Sequence, residues 1–283
     1  MKDSVKVVAM QTALPARQPN GSLTQLRKAI EGKEIKNTSP ELLVLPALVN
    51  GGPLAGISPP EDALDLAEAI PGSFTEAIAT ITRQHGIHIV AGMLEKDPRH
   101  EKLYNSAILV GPNGELLGVQ RQVHAVGKEK GEIGLADNIE TFSTVVGRIG
   151  MIVGTDFEYP EVARVQALQG AEILCNILNR TPTPSNLLDL VYYLSACRAW
   201  ENKCFVVSCN RVGSTGNLGF GGMSCIMDTN GQPLANSNGQ GEEMLIADLL
   251  RDAFYEDRAS KPYFRDRRPE HYGPLAQSIP SPK

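Results

Sequence analysis

The sequence lacks the features that mark membrane, secreted or nucleic-acid-binding proteins. None of its 283 residues lies in an apolar run near the ~20 residues that a membrane-spanning helix requires. The formal net charge is −5, so no excess of basic residues favours binding to nucleic acid or to an anionic membrane. The first residues lead directly into a strand pattern without the apolar core of a signal peptide, and we therefore expect a cytoplasmic protein.

Cysteine and histidine are too scattered to predict a disulfide framework or a metal site. The five cysteines have no Cys-x-x-Cys spacing and are expected to be reduced thiols; they are Cys175, Cys197, Cys204, Cys209 and Cys225. The five histidines stand apart from one another, so no cluster of metal ligands is expected. We expect neither a metal nor another cofactor.

The residues that are present predict a single α/β domain. Hydrophobic residues make up 42% of the chain, which is enough for a substantial core. About a dozen runs typical of strands are interleaved with helical segments, and neither a linker nor an internal repeat separates them. Residues 1–283 are therefore expected to form one domain, with residues 251–283 as an extended, irregular C-terminal tail.

The predicted strands and helices are spread along the chain. The predicted strands are Val5–Met10, Leu42–Pro46, Ile87–Leu94, Asn105–Val110, Leu116–Gln122, Ile149–Val153, Ala171–Ile177, Phe205–Cys209, Met223–Met227 and Met244–Ala247. The predicted helices are Leu23–Ile30, Glu61–Ala69, Ser73–His85, Pro160–Gln169 and Leu187–Trp200. The Gly/Pro-rich segment Gly51–Pro60 is predicted to be a loop.

One predicted turn joins a strand directly to a helix. The strand Ile149–Val153 stops at Gly154, and a helix is expected to begin near Pro160 with Glu161 in its first turn. A sharp turn of this kind often carries a nucleophile, because the side chain at the turn points out of the top of the sheet. Here the turn residue is a glycine, which has no side chain to offer.

Short motifs follow one another in a characteristic order along the chain. They are Gln11, Leu42–Ala47, Tyr104–Ser106, Arg121–His124, Asp156, Tyr159–Glu161 with Arg164, Gly170–Leu174, Arg198–Asn202, Asn210–Gly213, Gly222–Ser224 and Arg267–Tyr272. In this order and at these spacings the chain resembles the nitrilase, or carbon–nitrogen hydrolase, superfamily over nearly its whole length. The resemblance implies a nitrilase-like α/β fold, a four-layer α-β-β-α sandwich with two mixed β-sheets.

The resemblance also implies self-association. A homodimer or larger homo-oligomer is expected, with the helix Pro160–Gln169 and the helix that ends at Trp200 at the interface. The C-terminal tail would reach across to the partner.

The same resemblance implies that the catalytic residues of the family are missing. In the superfamily a glutamate takes the proton of a cysteine thiol, the thiolate attacks an amide or nitrile carbon, and a lysine stabilises the developing charge. The three matching positions in this chain hold Ala47, Gln122 and Gly154. A further family glutamate that helps to position the substrate matches Glu129. We therefore predict no catalytic residue at these positions.

The leading hypothesis is a catalytically inactive family member. Loss of the nucleophile alone commonly lowers the rate by ~10⁶-fold, so little hydrolysis is expected. The protein would instead bind a small molecule or a protein partner in the former active-site pocket. The predicted pocket residues are Ala47, Gln122, Glu129, Gly154, Thr155, Cys175 and Asn176.

Two alternatives remain open at the level of the sequence. One is an active hydrolase with a rebuilt site, in which Cys175 or a water molecule acts with Glu129 or His124. The other is a structural subunit of a hetero-oligomer that pairs with an active paralogue.

Overall fold

The structure is a computed structural model of the chain. It describes residues 1–14, 19–50, 60–99, 102–127, 130–182, 189–215, 217–239 and 241–278. The predicted loop Gly51–Pro60 lies outside these ranges except for its last residue, which begins a helix.

Strands and helices alternate through the first half of the chain. In chain order they are β1 (Ser4–Gln11), α1 (Pro19–Ile30), α2 (Lys33–Thr38), β2 (Leu42–Val44), α3 (Pro60–Leu66), α4 (Ser73–His85), β3 (His88–Lys96), β4 (Leu103–Val110) and β5 (Leu116–Arg121). The second half continues with β6 (Thr141–Thr144), β7 (Gly147–Val153), α5 (Pro160–Leu168), β8 (Ile173–Ile177), α6 (Leu190–Asn202), β9 (Phe205–Cys209), β10 (Ser214–Thr215), β11 (Leu218–Gly219), β12 (Cys225–Met227), β13 (Pro233–Asn236), β14 (Glu243–Leu250) and α7 (Arg251–Ser260).

Twelve of these strands form two six-stranded mixed sheets, and β10 pairs with β11 in a separate two-stranded sheet. The first sheet has the order β14-β1-β2-β3-β4-β5, and the second has the order β13-β12-β9-β8-β7-β6. In the first sheet β1, β2 and β3 are parallel, and in the second β7, β8 and β9 are parallel. The outer pairs of both sheets are antiparallel.

Apolar side chains fill the spaces between four layers. One core lies between the two sheets and includes Val7, Val153 and Ile177. A second core joins the first sheet to α1 and α4 through residues such as Leu26 and Phe74. A third joins the second sheet to α5 and α6. The predicted α-β-β-α sandwich is therefore confirmed.

The central parallel strands are buried on both faces, as their continuous apolar runs predict. In β8 the side chains of Ile173, Cys175 and Ile177 point into the core between the sheets, while Leu174 points towards the helices. The alternation fixes which residues of a strand can reach the same side of the sheet.

The C-terminal region differs from the expected irregular tail. A helix, α7, occupies Arg251–Ser260, and short 3₁₀ turns follow at Pro269–His271 and Gly273–Ala276. The helix is held by Phe254, which is buried in the core between the sheets with its ring 6.5 Å from that of Phe205. None of the helices in the described ranges combines the length and apolar character that crossing a bilayer demands.

Candidate functional site

The three residues assigned to the triad positions lie beyond the ends of strands from both sheets. Ala47, Gln122 and Gly154 follow β2, β5 and β7, respectively. The backbone N–H of Ala47 donates to the carbonyl oxygen of Leu178 at 3.1 Å, which links the end of β2 to the end of β8 in the other sheet. Since Ile177 of β8 pairs with Val153 of β7, the link places the Ala47 loop at the same end of the second sheet as the strand-to-helix turn at Gly154, which we call the elbow.

The side chain of Gln122 is buried and hydrogen-bonded at both ends of its amide. Its Oε1 accepts from Nδ2 of Asn105 at 2.7 Å. Its Nε2 donates to the carbonyl oxygen of His124 at 2.6 Å and to Oγ1 of Thr155 at 2.8 Å. The Thr155 hydroxyl in turn donates to the same His124 carbonyl at 2.8 Å. The amide is therefore fixed in one orientation beside the elbow.

The Gln122 amide occupies the space above the elbow glycine. A β-carbon built on Gly154 would lie 2.3 Å from Oε1 of Gln122 and 2.8 Å from Nδ2 of Asn105. Both distances are far below van der Waals contact, so no side chain fits on residue 154 while Gln122 keeps this position. The backbone of Gly154 also has φ = +57°, a region that favours glycine.

Asp156 ties the elbow to the loop that follows β5. Its carboxylate accepts from the backbone N–H groups of Val123 and His124, both at 2.8 Å, and from Nδ1 of His124 at 2.9 Å. Burial raises the pKa of Asp156, and these hydrogen bonds oppose the rise. The His124 ring also stacks on Tyr159 with ring centroids 3.7 Å apart. These contacts hold the two loops, and with them Gln122 and Thr155, in register.

Comparison with known proteins identifies the family of this fold and site. The model of the carbon–nitrogen hydrolase family matches residues 6–259.

The chain belongs to the carbon–nitrogen hydrolase family.

Individual members of the carbon–nitrogen hydrolase family match nearly end to end. The chain is 32% identical over 280 residues to a nitrilase of Pyrococcus abyssi, covering 95% of this chain and 99% of the relative. A crystal structure of a carbon–nitrogen hydrolase from Helicobacter pylori superposes with a TM-score of 0.89 at 24% identity, covering 98% and 99% of the two chains. An amidase from Nesterenkonia sp. AN1, with acrylamide added to its active-site cysteine, superposes with a TM-score of 0.79 at 23% identity, covering 96% and 99%.

An ion pair fixes the strand end that carries Gln122 in this carbon–nitrogen hydrolase fold. Arg121 donates from Nε and Nη2 to the two carboxylate oxygens of Glu95, at 3.0 and 2.5 Å. Ser106 donates to the same carboxylate at 2.6 Å, and the guanidinium lies 3.8 Å from the ring centroid of Tyr104. The hydrogen bonds to Glu95 raise the pKa of Arg121. The sequence offered Arg121 as a motif residue but gave no sign of its partner.

A second arginine supports the elbow from the helix layer. Arg198 on α6 donates from Nη2 to the carbonyl oxygens of Phe157 and Glu158, at 3.4 and 3.3 Å. It also pairs with Glu201 at 3.2 Å. The side chain is buried, so α6 fixes the turn between Gly154 and α5 from behind.

The side chains of Cys175 and Asn176 lie on opposite faces of β8, whereas the sequence-based prediction placed both in one pocket. Cys175 is fully buried among the apolar residues between the sheets, and burial raises its thiol pKa far above the usual value. Asn176 points towards the helices and donates to Oγ of Ser208 at 2.7 Å, and Ser208 contacts Oγ of Ser195 on α6 at 2.6 Å. Neighbouring residues of a strand face opposite sides, so Cys175 and Asn176 do not share one face of the sheet.

The described residues account for part of the predicted pocket. They bring together Gln122, Gly154 and Thr155, with Asn105 as a further member, which belongs to the motif Tyr104–Ser106 but was not among the predicted pocket residues. Glu129 lies outside the described residues, so its contacts are not part of the site as described. Within the described ranges no group of three or more His, Cys, Asp or Glu residues is placed to hold a metal ion.

Proposed function

We propose that this carbon–nitrogen hydrolase family member is not a hydrolase and acts by binding. The observation that carries the proposal is the position of the Gln122 amide, which fills the space where a side chain on residue 154 would begin. A nucleophile at the elbow and Gln122 in its present position exclude each other.

The residue types at the three positions support the same proposal. The amidase from Nesterenkonia sp. AN1 has an active-site cysteine to which acrylamide adds. The resemblance assigns the corresponding place in this chain to Gly154, with a methyl group at Ala47 and a neutral amide at Gln122. These groups offer no thiolate, no carboxylate base and no ammonium, and loss of the nucleophile alone commonly costs ~10⁶-fold in rate.

The retained loop geometry favours a role in binding. The loops around Gln122 are held in one arrangement by Asp156, by the Glu95–Arg121 pair and by Arg198. A protein that binds a ligand without a reaction also requires such fixed loops. The ligand, a small molecule or a segment of a partner protein, would lie against the half-buried Thr155, because the Gln122 amide beside it is buried and its hydrogen bonds are already made within the chain.

We also propose a cytoplasmic homodimer or larger homo-oligomer formed through α5 and α6. Exposed apolar side chains on these helices support this arrangement, since Leu168, Tyr193 and Trp200 are between 43 and 47% exposed in the single chain.

Purified protein incubated with a panel of amides, nitriles and N-carbamoyl compounds tests the proposal. No turnover above the uncatalysed rate is expected, while thermal-shift measurements on the same panel and on candidate partners report binding. Turnover that disappears on Cys175→Ala or Glu129→Gln would overturn the proposal in favour of a rebuilt active site. The full burial of Cys175 argues against that alternative, because the thiolate is the reactive form.

Failure to form a complete oligomer without another subunit would favour the other alternative, a structural subunit of a hetero-oligomer. Size-exclusion chromatography with light scattering on the protein purified alone distinguishes the two. A stable homo-oligomer is the expected result.

A further inference from the structure

A small cavity lies between the end of α6 and the chain that follows α7. Its volume is about 140 Å³, and we call it the α6–α7 cavity. Four basic residues contribute to its wall together with two aromatic rings; they are Lys203, Arg258, Lys261 and Arg265, with Tyr263 and Phe264. Among the described residues no carboxylate contributes to this wall. The charged residues that contribute to the wall are therefore all basic.

Lys203 brings a buried cation to the cavity without a carboxylate in contact. The residue is 1% exposed, and its Nζ donates to the neutral oxygens of Thr229 and Asn230 at 3.2 and 2.9 Å. The nearby carboxylate of Asp257 is itself bonded by the hydroxyl of Thr229 and by Nδ2 of Asn230. Burial lowers the pKa of Lys203 and the charge of Lys261 lowers it further, while the charges of Asp257 and Asp228 oppose the fall. Such a charge gains stability from an added anion.

Two ammonium groups approach the same aromatic ring at this place. Nζ of Lys261 lies 3.8 Å and Nζ of Lys203 lies 4.0 Å from the ring centroid of Trp200. The ring attracts each cation but does not cancel its charge. Within the described ranges neither lysine forms an ion pair, that is, neither has a carboxylate oxygen within 4.0 Å of its ammonium nitrogen.

Arg258 is fixed by backbone carbonyls and aromatic rings, and none of the ion pairs within the described ranges includes it. Its Nε donates to the carbonyl oxygen of Lys203 at 3.2 Å and its Nη2 donates to that of Ala171 at 3.0 Å. Its guanidinium lies 4.3 and 4.9 Å from the ring centroids of Phe254 and Phe264. The arginine is thus held in place by the fold before any ligand arrives, which lowers the cost of ordering on binding.

We propose that the α6–α7 cavity binds a phosphate-type oxyanion. A cavity of this size has room for one tetrahedral anion, its wall includes four basic residues, and ammonium and guanidinium groups are the donors that bind such anions most strongly. The anion would be free inorganic phosphate or the phosphate group of a larger molecule that extends past Arg265, whose side chain is open to solvent and paired with Asp266.

Calorimetric titration of the native full-length protein with inorganic phosphate tests the proposal, with chloride at equal ionic strength as the reference. Saturable binding at one site per chain is expected. Lys261→Gln should weaken phosphate binding about tenfold, since it removes one charge-assisted contact. Lys36→Gln is the matched control, because it removes the same charge from an exposed lysine on α2. Arg265→Gln serves as a second variant should Lys261→Gln lower stability in chloride.

A parallel titration with glycerol 3-phosphate separates the two sources of the anion. Binding of inorganic phosphate alone identifies the free ion, while tighter binding of the phosphomonoester identifies the phosphate group of a larger ligand. A phosphate titration indistinguishable from chloride would overturn the proposal. An equal loss of affinity in Lys36→Gln and Lys261→Gln would do so as well, because it would show attraction to net charge rather than a site.

Discussion

Oε1 of Gln122 lies 2.3 Å from the point where a β-carbon on Gly154 would stand. The two residues are 32 positions apart by their numbers and sit at the ends of strands in different sheets. The glycine at the elbow and the glutamine after β5 are therefore sterically matched, because a larger residue at position 154 would clash with the Gln122 amide.

Gly154→Ala is expected to destabilise the protein by about 2–4 kcal/mol, because strain at positive φ adds to the clash with Gln122. Gly86→Ala is the matched control, since Gly86 has φ = +66° but no atom within 4 Å of the added β-carbon. It should cost only about 1–2 kcal/mol. Gln122→Ala should relieve much of the extra cost at Gly154, which urea unfolding of the two single variants and the double variant measures as coupling. Purely additive effects would contradict the steric pairing.

Gln122→Ala alone is expected to cost about 2–4 kcal/mol, because it opens a cavity and leaves Nδ2 of Asn105 without its acceptor. The vacated space then offers one donor, from Asn105, and two acceptors, the Thr155 hydroxyl and the His124 carbonyl. Acetamide should therefore raise the melting temperature of this variant more than that of the parent protein. Acetate, which lacks the amide donors, should not. Equal shifts for the two additives would count against this arrangement of donors and acceptors.

The prominence of Gly154, Ala47 and Gln122 was predictable from the sequence, since their surrounding motifs carry the family resemblance. The contact between Gln122 and Gly154 was not. It depends on the side-chain conformation of Gln122, which is set by Asn105 on a neighbouring strand and by Thr155 on the other sheet. No pattern along one chain encodes that pairing.

The separation of Cys175 from Asn176 was within reach of the sequence. Side chains alternate along a strand, so two neighbouring residues of β8 point to opposite faces of the sheet. The helix α7 was harder to predict. Its sequence, Arg251–Ser260, has one buried apolar residue, Phe254, and therefore lacks the apolar stripe that indicates a helix.

Phe254→Ala is expected to destabilise the protein by about 3–5 kcal/mol, because it removes a large buried ring from the core beside Phe205. The neighbouring Tyr255 is 53% exposed, so Tyr255→Ala is the matched control and should cost far less. Thermal unfolding at one fixed protein concentration compares the variants. Similar melting temperatures would show that α7 is not anchored in this way.

Native thiol labelling is expected to spare four of the five cysteines and to reach at most Cys197, which lies on the same exposed face of α6 as Tyr193 and Trp200 and would be covered in the proposed homo-oligomer. The other four cysteines are fully buried, and burial raises the pKa of each of those thiols. Reaction with iodoacetamide at mildly alkaline pH, mapped by mass spectrometry, should modify no cysteine other than Cys197 in the native protein and all five cysteines after denaturation. Cys197→Ser should abolish native labelling. Modification of native Cys175 would revive it as a candidate nucleophile.

Release of ammonia from amide and nitrile substrates by the purified protein tests the central claim most directly. We expect no release above the uncatalysed rate, because the Gln122 amide occupies the space that the side chain of a nucleophile at position 154 would need. Cys175→Ser and Gln122→Ala, measured beside the parent protein, show whether any signal belongs to this chain. Ammonia release by the parent that is lost in either variant would contradict the account.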